Sequence, residues 1–287
     1  MDLCNLHVIR PLLEKYGFHF SKAMGQNFLI AGWVPEQIAA ESGADKESGV
    51  LEIGPGVGCL TQQLSQVAGK VVAVELDKRL PPLLKESLAG CDNVEILSGD
   101  ILKLDIPGLV REKFQGLTPI VCANLPYNIT SPVLTALIEA GCFKTITVMV
   151  QREVARRICA QAGTADYSAF TVFVQYHAAA RILFDVSPGC FVPQPKVYSS
   201  VIRLDMRDKP PAEVEDKELF FKIVKASFAQ RRKTLVNGLL SAFGAQLDRA
   251  AILDILEQCG FDSRVRGETL DIPAFALLCN KIRERLS

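Results

Sequence analysis

The sequence predicts an α/β fold, a mostly parallel sheet with helices on both faces, followed by a small all-helical domain. Three observations carry this expectation. From residue 50 to about 205, short apolar runs alternate with helix-like stretches. The runs are near-continuously apolar, as in strands buried on both faces of a parallel sheet. After "MRDKPPAEVEDKE", residues 206–218, no β-rich run recurs.

In order, the strands are expected at 50–53 (VLEI), 71–75 (VVAVE), 94–97 (VEIL), 120–123 (IVCA) and 145–150 (TITVMV), with intervals long enough for crossover helices. An apolar stretch at 170–176 follows, then two β-rich runs, 182–186 and 197–204, with no clear helix between them. These two runs suggest an antiparallel hairpin added to the sheet. Charge, Pro-Pro and the absence of apolar periodicity mark 206–218 as a linker. Beyond it, helical patterning runs over 219–229, 233–242, 249–259 and 274–285. The expected division is an α/β domain at 1–206 and a helical domain at 207–287.

Composition narrows the function classes. At 287 residues and 49% hydrophobic content the chain can bury a proper core. No apolar run approaches a membrane span, and "MDLCNLHVIRPLLEKYGF" is charged throughout with no secretory core, so a cytoplasmic protein is expected. The nine cysteines are odd in number and form no C-x-x-C pair, which favours buried free thiols in a reducing compartment over a metal site. His7, His19 and His177 show no ligand spacing. Zero net charge weighs against a general polyanion binder and leaves room for a local basic patch.

Four motifs fall at strand ends. In "VLEIGPGVGCLT" a strand closes on Glu52, glycines follow at 54, 56 and 58, and a helix begins. Glycine lets backbone turn tightly and approach a ligand closely. Cys59 stands where the dinucleotide fingerprint needs its third glycine, and the acid followed by a compact G-x-G-x-G loop resembles the first motif of S-adenosylmethionine (SAM) methyltransferases. Glu75 lies 75 − 54 = 21 residues after Gly54. An acid at that place accepts hydrogen bonds from ribose hydroxyls, of SAM or NAD alike. Asp77 competes for the role but reads as the N-cap of the next helix. Asp100, in "LSGDIL", is placed to accept from an adenine amino group, although Gly-Asp is also ordinary turn chemistry.

The fourth motif is Asn124-Leu125-Pro126-Tyr127, after the fourth strand. Ligands of open α/β sheets bind beyond the carboxyl ends of the strands, so these residues share a rim with Gly54, Glu75 and Asp100. The amine of adenine is a poor nucleophile because its lone pair is delocalised into the ring. The Asn124 side-chain oxygen and the Leu125 carbonyl would hold its two N–H groups and favour a pyramidal nitrogen. Pro126 fixes the turn and removes a competing donor. Tyr127 would stack on the extruded base.

N-L-P-Y after such a glycine loop resembles the ribosomal RNA adenine N6-dimethyltransferases, and the wider context resembles their RsmA (KsgA) type. "KAMGQNFL" (22–29), "FVPQPKVYSSVIRL" (191–204), "FAQRRKTLVNGL" (228–239) and "RGETL" (266–270) are similar to further signatures of that family. The resemblance runs from Ser21 to Leu270. It implies a SAM-dependent methyltransferase fold with SAM as cofactor, held by Asn27, Leu29, Gly54, Gly56, Glu75, Asp100 and Asn124. It implies that Phe191 faces the target base opposite Tyr127. The implied reaction is dimethylation of two adjacent adenosines near the 3′ end of 16S rRNA, within the small (30S) subunit, during its maturation. Two residues depart from the pattern: Tyr198 stands where Asp is common, and Gly267 where Ala is common. Neither is a proposed catalytic group.

From Phe221 to Leu240 there are five cations (Lys222, Lys225, Arg231, Arg232, Lys233) and no acid. Arg152, Arg156 and Arg157 form a second cluster, with 152 and 156 one helical turn apart. A solvated helix face is the plain reading of such cations. With the family resemblance, contact to an RNA backbone is expected from Arg152, Arg156 and the five. A monomer is expected. The alternatives are an Erm-type 23S rRNA dimethyltransferase, which shares the N-L-P-Y and SAM motifs, and an assembly factor whose binding matters more than its catalysis.

Overall fold

The computed structural model describes residues 1–18, 27–230 and 232–286. They divide into two compact units, 1–155 with 180–206, and 156–179 with 207–287. Residues 156–179, expected in the first domain, therefore pack within the second.

Nine strands are described: β1 (Phe28–Leu29), β2 (Ser48–Ile53), β3 (Lys70–Glu75), β4 (Val94–Ser98), β5 (Thr118–Asn124), β6 (Thr145–Gln151), β7 (Ala178–Val186), β8 (Phe191–Val192) and β9 (Ser199–Met206). Seven form one sheet in the order β4-β3-β2-β5-β6-β9-β7. The pairs from β4 through to β6 are parallel, and β6 with β9 is antiparallel. This is the mostly parallel, two-face-covered sheet that the apolar runs predict. The order reverses between β2 and β5, and the crevice beyond the strand ends at such a reversal is where open sheets bind ligands. The two β-rich runs lie in neighbouring strands, β7 and β9. Between them β8 leaves the sheet and pairs antiparallel with β1, setting Leu29 opposite Phe191.

The first unit's helices are α1 (Leu6–Lys15), α2 (Trp33–Glu41), α3 (Cys59–Val67), α4 (Leu80–Ser87), α5 (Ile106–Lys113) and α6 (Thr130–Glu139); α7 (Arg152–Ile158) begins there and ends in the second unit. Helix α1 starts because the Asn5 side chain accepts from the His7 N–H at 3.0 Å. Its Ile9, Leu12 and Leu13 join Leu80, Leu83 and Leu84 of α4 in one buried cluster. Glu86 then accepts from Lys15 Nζ and Tyr16 Oη, both at 2.6 Å. Val50, Val71, Ile120, Cys122 and Met149 from the strands form another cluster, with α2 and α3.

The second unit holds α8 (Ala169–His177), α9 (Lys217–Ala229), α10 (Leu235–Phe243), α11 (Arg249–Gln258) and α12 (Ile272–Leu286). The apolar stretch 170–176 is helix α8, started by a reciprocal cap between Ser168 and Thr171. Phe220, Ile223, Leu235, Leu239, Phe275 and Leu278 are at the centre of this unit's core. Helix α10 begins at Leu235, two residues later than the pattern suggests, because Thr234 takes extended backbone. Arg232 and Lys233 consequently sit in the turn before it, not on a helix. At Gly267 an added Cβ would lie 2.7 Å from Ser227 Cβ and 2.8 Å from its carbonyl oxygen. Here a departure from the family pattern is a close backbone approach that only glycine permits.

Candidate active site

One cavity of the first unit is lined by Asn27, Leu29, Gly54, Gly56, Glu75, Asp100, Asn124, Leu125, Pro126 and Tyr127. The sequence motifs at four strand ends and the segment before β1 thus meet around one space. Backbone bonds knit this rim: Gly54 N donates to Val74 O at 3.0 Å, Gly99 N to Glu75 O at 2.8 Å, and Leu125 N to Met149 O at 3.1 Å.

Gly54 and Gly56 take φ of 67° and 62°, a left-handed conformation that side chains resist. A Cβ on Gly56 would also come 3.2 Å from the Phe28 ring. Phe28, missed by sequence reasoning, lines the cavity and stacks at 5.6 Å, tilted, on Phe18.

Glu52, next to last in β2, is almost wholly buried, 1% exposed, and borders the same cavity. Desolvation lifts its carboxyl to about 8, the nearby Glu75 charge adds to this, and the Thr61 hydroxyl opposes it. Even so, neither Glu52 Oε2 nor Thr61 Oγ1 has a hydrogen-bond partner. Glu75 is raised to about 7, first by burial, while the Asp77 N–H bonds to its Oε1 at 2.7 Å and pulls the other way.

Asp77 does not take the N-cap of α4, which is Arg79. It accepts the Arg79 N–H at 3.1 Å and holds its guanidinium through Nε at 2.9 Å and Nη2 at 2.5 Å. Both its carboxylate oxygens are committed to Arg79, and Glu75 is the one of the two acids that borders the cavity. Asp100 caps a short turn, accepting from Leu102 N at 3.1 Å, and still borders the cavity.

In the N-L-P-Y segment, the Pro126 carbonyl is taken by Ile129 N at 3.2 Å and Thr130 Oγ1 at 3.1 Å. Asn124 and Leu125 border the cavity beside it. Tyr127 Oη lies 2.6 Å from Ser199 Oγ, which fixes the ring from β9. Phe191 is not brought to this cavity. It is 2% exposed and packs with Leu29, Cys190 and Val201 in the core, because the β1–β8 pairing turns it inward.

The family model described as "Ribosomal RNA adenine dimethylase" matches residues 17–275. The chain belongs to the ribosomal RNA adenine dimethylase family. Relatives named "Ribosomal RNA small subunit methyltransferase A" resemble it along nearly their full length. The one from Shouchella clausii is 45% identical, covering 96% of this chain and 94% of its own. The one from Clostridioides difficile is 43% identical, covering 100% and 99%. Among solved structures, a dimethyladenosine transferase from Plasmodium falciparum shares the fold with a TM-score of 0.77 at 24% identity, over 90% of this chain and 98% of that one. The 23S rRNA methyltransferase ErmE aligns with a TM-score of 0.69 at 27% identity, over 90% and 100%. Family membership makes the chain an rRNA methyltransferase by descent, and the far higher identity to the small-subunit relatives disfavours the Erm alternative.

The expected RNA-contacting cations fall in both units. Arg152 is half-buried in the first unit, and Arg156 is exposed in the second. Lys222 and Lys225 are on α9, and Lys222 Nζ lies 4.7 Å from the Phe243 ring centroid. Arg232 and Lys233 are exposed in the following turn. Arg231, His19 and the Lys22–Gln26 part of the N-terminal signature lie outside the described residues. His177 has a structural place, its ring 5.7 Å from and nearly parallel to Phe221. No helix among the described residues is long and apolar enough to cross a membrane.

Proposed function

We propose that this chain transfers methyl groups from SAM to the exocyclic amines of two adjacent adenosines near the 3′ end of 16S rRNA, each modified twice. It acts as a cytoplasmic monomer on the maturing small subunit. The observation that carries this reading is the convergence of Glu75, Asp100 and the Asn124–Tyr127 segment on one cavity.

The residues fit SAM on chemical grounds. The glycine cradle admits a close-lying ligand, Glu75 offers a carboxylate to a diol, and Asp100 offers one to an amine. Glu52 borders the cavity with its buried Oε2 unpartnered, which leaves polar capacity there for a ligand. When bound, SAM supplies an electrophilic methyl group. The protein's part is positioning. Asn124 and the Leu125 carbonyl hold the amine's two hydrogens and direct its lone pair. Pro126, lacking an N–H, offers no donor to compete for that lone pair. Tyr127, held by Ser199, presents its ring to the base. The cations Arg156, Lys222, Lys225, Arg232 and Lys233, with Arg152, supply phosphate contacts; Arg231 belongs to the same basic run in sequence.

The test is transfer of labelled methyl groups to small subunits lacking the modification, beside protein-free 23S rRNA. Dimethyladenosine in the small subunit alone is expected. Label in 23S rRNA would replace this reading with an Erm-type one. Asn124→Ala should abolish transfer while still binding the immature subunit, separating catalysis from an assembly role.

A further inference from the structure

Beside Tyr127's anchor stands an aromatic–cation pair that no cofactor role uses. The Arg152 guanidinium lies 4.5 Å from the Tyr198 ring centroid, and the Arg152 N–H donates to the Tyr198 carbonyl at 2.9 Å. Tyr198 is 45% exposed, high for a ring of that size. It does not line the cavity. It immediately precedes Ser199, whose hydroxyl holds Tyr127 Oη at 2.6 Å. Consecutive Cα atoms are about 3.8 Å apart, so the pair's backbone adjoins the residue that holds Tyr127, while successive side chains of extended chain point to opposite sides and the Tyr198 ring lies outside the cavity.

The charge on Arg152 is weakly spent. Its nearest carboxylate, Asp185, is 4.0 Å away and accepts from Ser200 Oγ at 2.5 Å. A guanidinium stacked on an aromatic face keeps its edge donors for an anion such as phosphate. An aromatic ring backed by a cation on one face offers the other face to a nucleobase.

We propose that Tyr198 and Arg152 form a shelf for the nucleotide adjacent to the target adenosine: the ring stacks its base and the guanidinium edge meets its phosphate. This rests on the rRNA-methyltransferase reading above. It adds a specificity contact outside the catalytic cavity and gives a role to the residue that departs from the family pattern.

The full chain is compared with its Tyr198→Ala, Tyr198→Phe and Arg152→Gln variants. Labelled methyl transfer to small subunits lacking the modification gives KM and kcat, and calorimetry gives SAM affinity separately. Tyr198→Ala should raise KM for the subunit roughly tenfold, as loss of one base stack does, with SAM affinity unchanged. Tyr198→Phe should keep the wild-type KM. Arg152→Gln should lower the slope of log affinity against log salt by about one, and Tyr198→Ala should leave that slope unchanged. An Ala variant within twofold of wild type, a Phe variant as impaired as Ala, or equal loss of SAM binding would each overturn the shelf. If wild-type protein labels no subunit, the functional reading fails and the shelf with it. If wild type labels subunits and the variants match it, the shelf alone fails.

Discussion

Replacing Glu52 with glutamine should make the protein more stable in mild alkali. In the folded chain burial holds this carboxyl at about 8 against an ordinary 4.5. Below pH 4.5 the group is neutral in both folded and unfolded chains and its raised pKa costs nothing. Between 4.5 and about 8 the unfolded chain releases the proton and the folded chain keeps it. Stability therefore falls as pH rises, by about 1.36 kcal/mol per pH unit. Over a span of about 3.5 pH units the full loss is about 5 kcal/mol, an upper bound, since local relaxation and water entry reduce it. A difference on the order of 3 kcal/mol between the proteins at about pH 8.5 is the working expectation. The glutamine side chain keeps the volume and does not titrate. Glu75, raised to about 7, titrates in both proteins and cancels to first order. Urea unfolding at intervals from about pH 5 to 9 measures it: the variant's advantage should grow through this range and level off above about pH 8. Parallel stability curves would refute the assignment of a buried, neutral Glu52.

Gly267→Ala should destabilise the chain by about 1–3 kcal/mol, because the new methyl meets Ser227 Cβ at 2.7 Å and its carbonyl oxygen at 2.8 Å; thermal unfolding would show a lower Tm. Phe191→Ala should cost about 3–5 kcal/mol by opening a cavity among Leu29, Cys190 and Val201, and a variant as stable as wild type would mean the ring is not in the core. Tyr127→Phe loses only the 2.6 Å contact to Ser199, so stability should fall by about 1 kcal/mol and turnover several-fold, with SAM affinity by calorimetry unchanged.

The parallel strands β2, β3, β5 and β6 were legible because each is largely apolar along its length, and a strand covered on both faces has no polar side to show. The glycine loop, Glu75 and the N-L-P-Y segment were legible because each ends such a strand, and strand ends of a parallel sheet share one rim. Helix α8 carried no decisive pattern: a short run of apolar and aromatic residues suits a buried helix or a strand equally, and its packing with α9 decides it. Arg232 and Lys233 looked helical because the cationic run is continuous with α10, whereas the Thr234 backbone places them before its start.

By itself, then, the sequence determined the sheet, the helical second half, the family and the cavity's main residues, since these depend on local pattern and on strand ends. Tertiary structure alone decided the fate of individual side chains. Asp77 is spent on Arg79, Phe191 is turned inward by the β1–β8 pairing, Glu52 is neutralised by burial, and Tyr198 is stacked on Arg152. The first depends on which way two nearby side chains turn, and the others on partners distant in the chain or on the local dielectric. None of these is written in the spacing of residues.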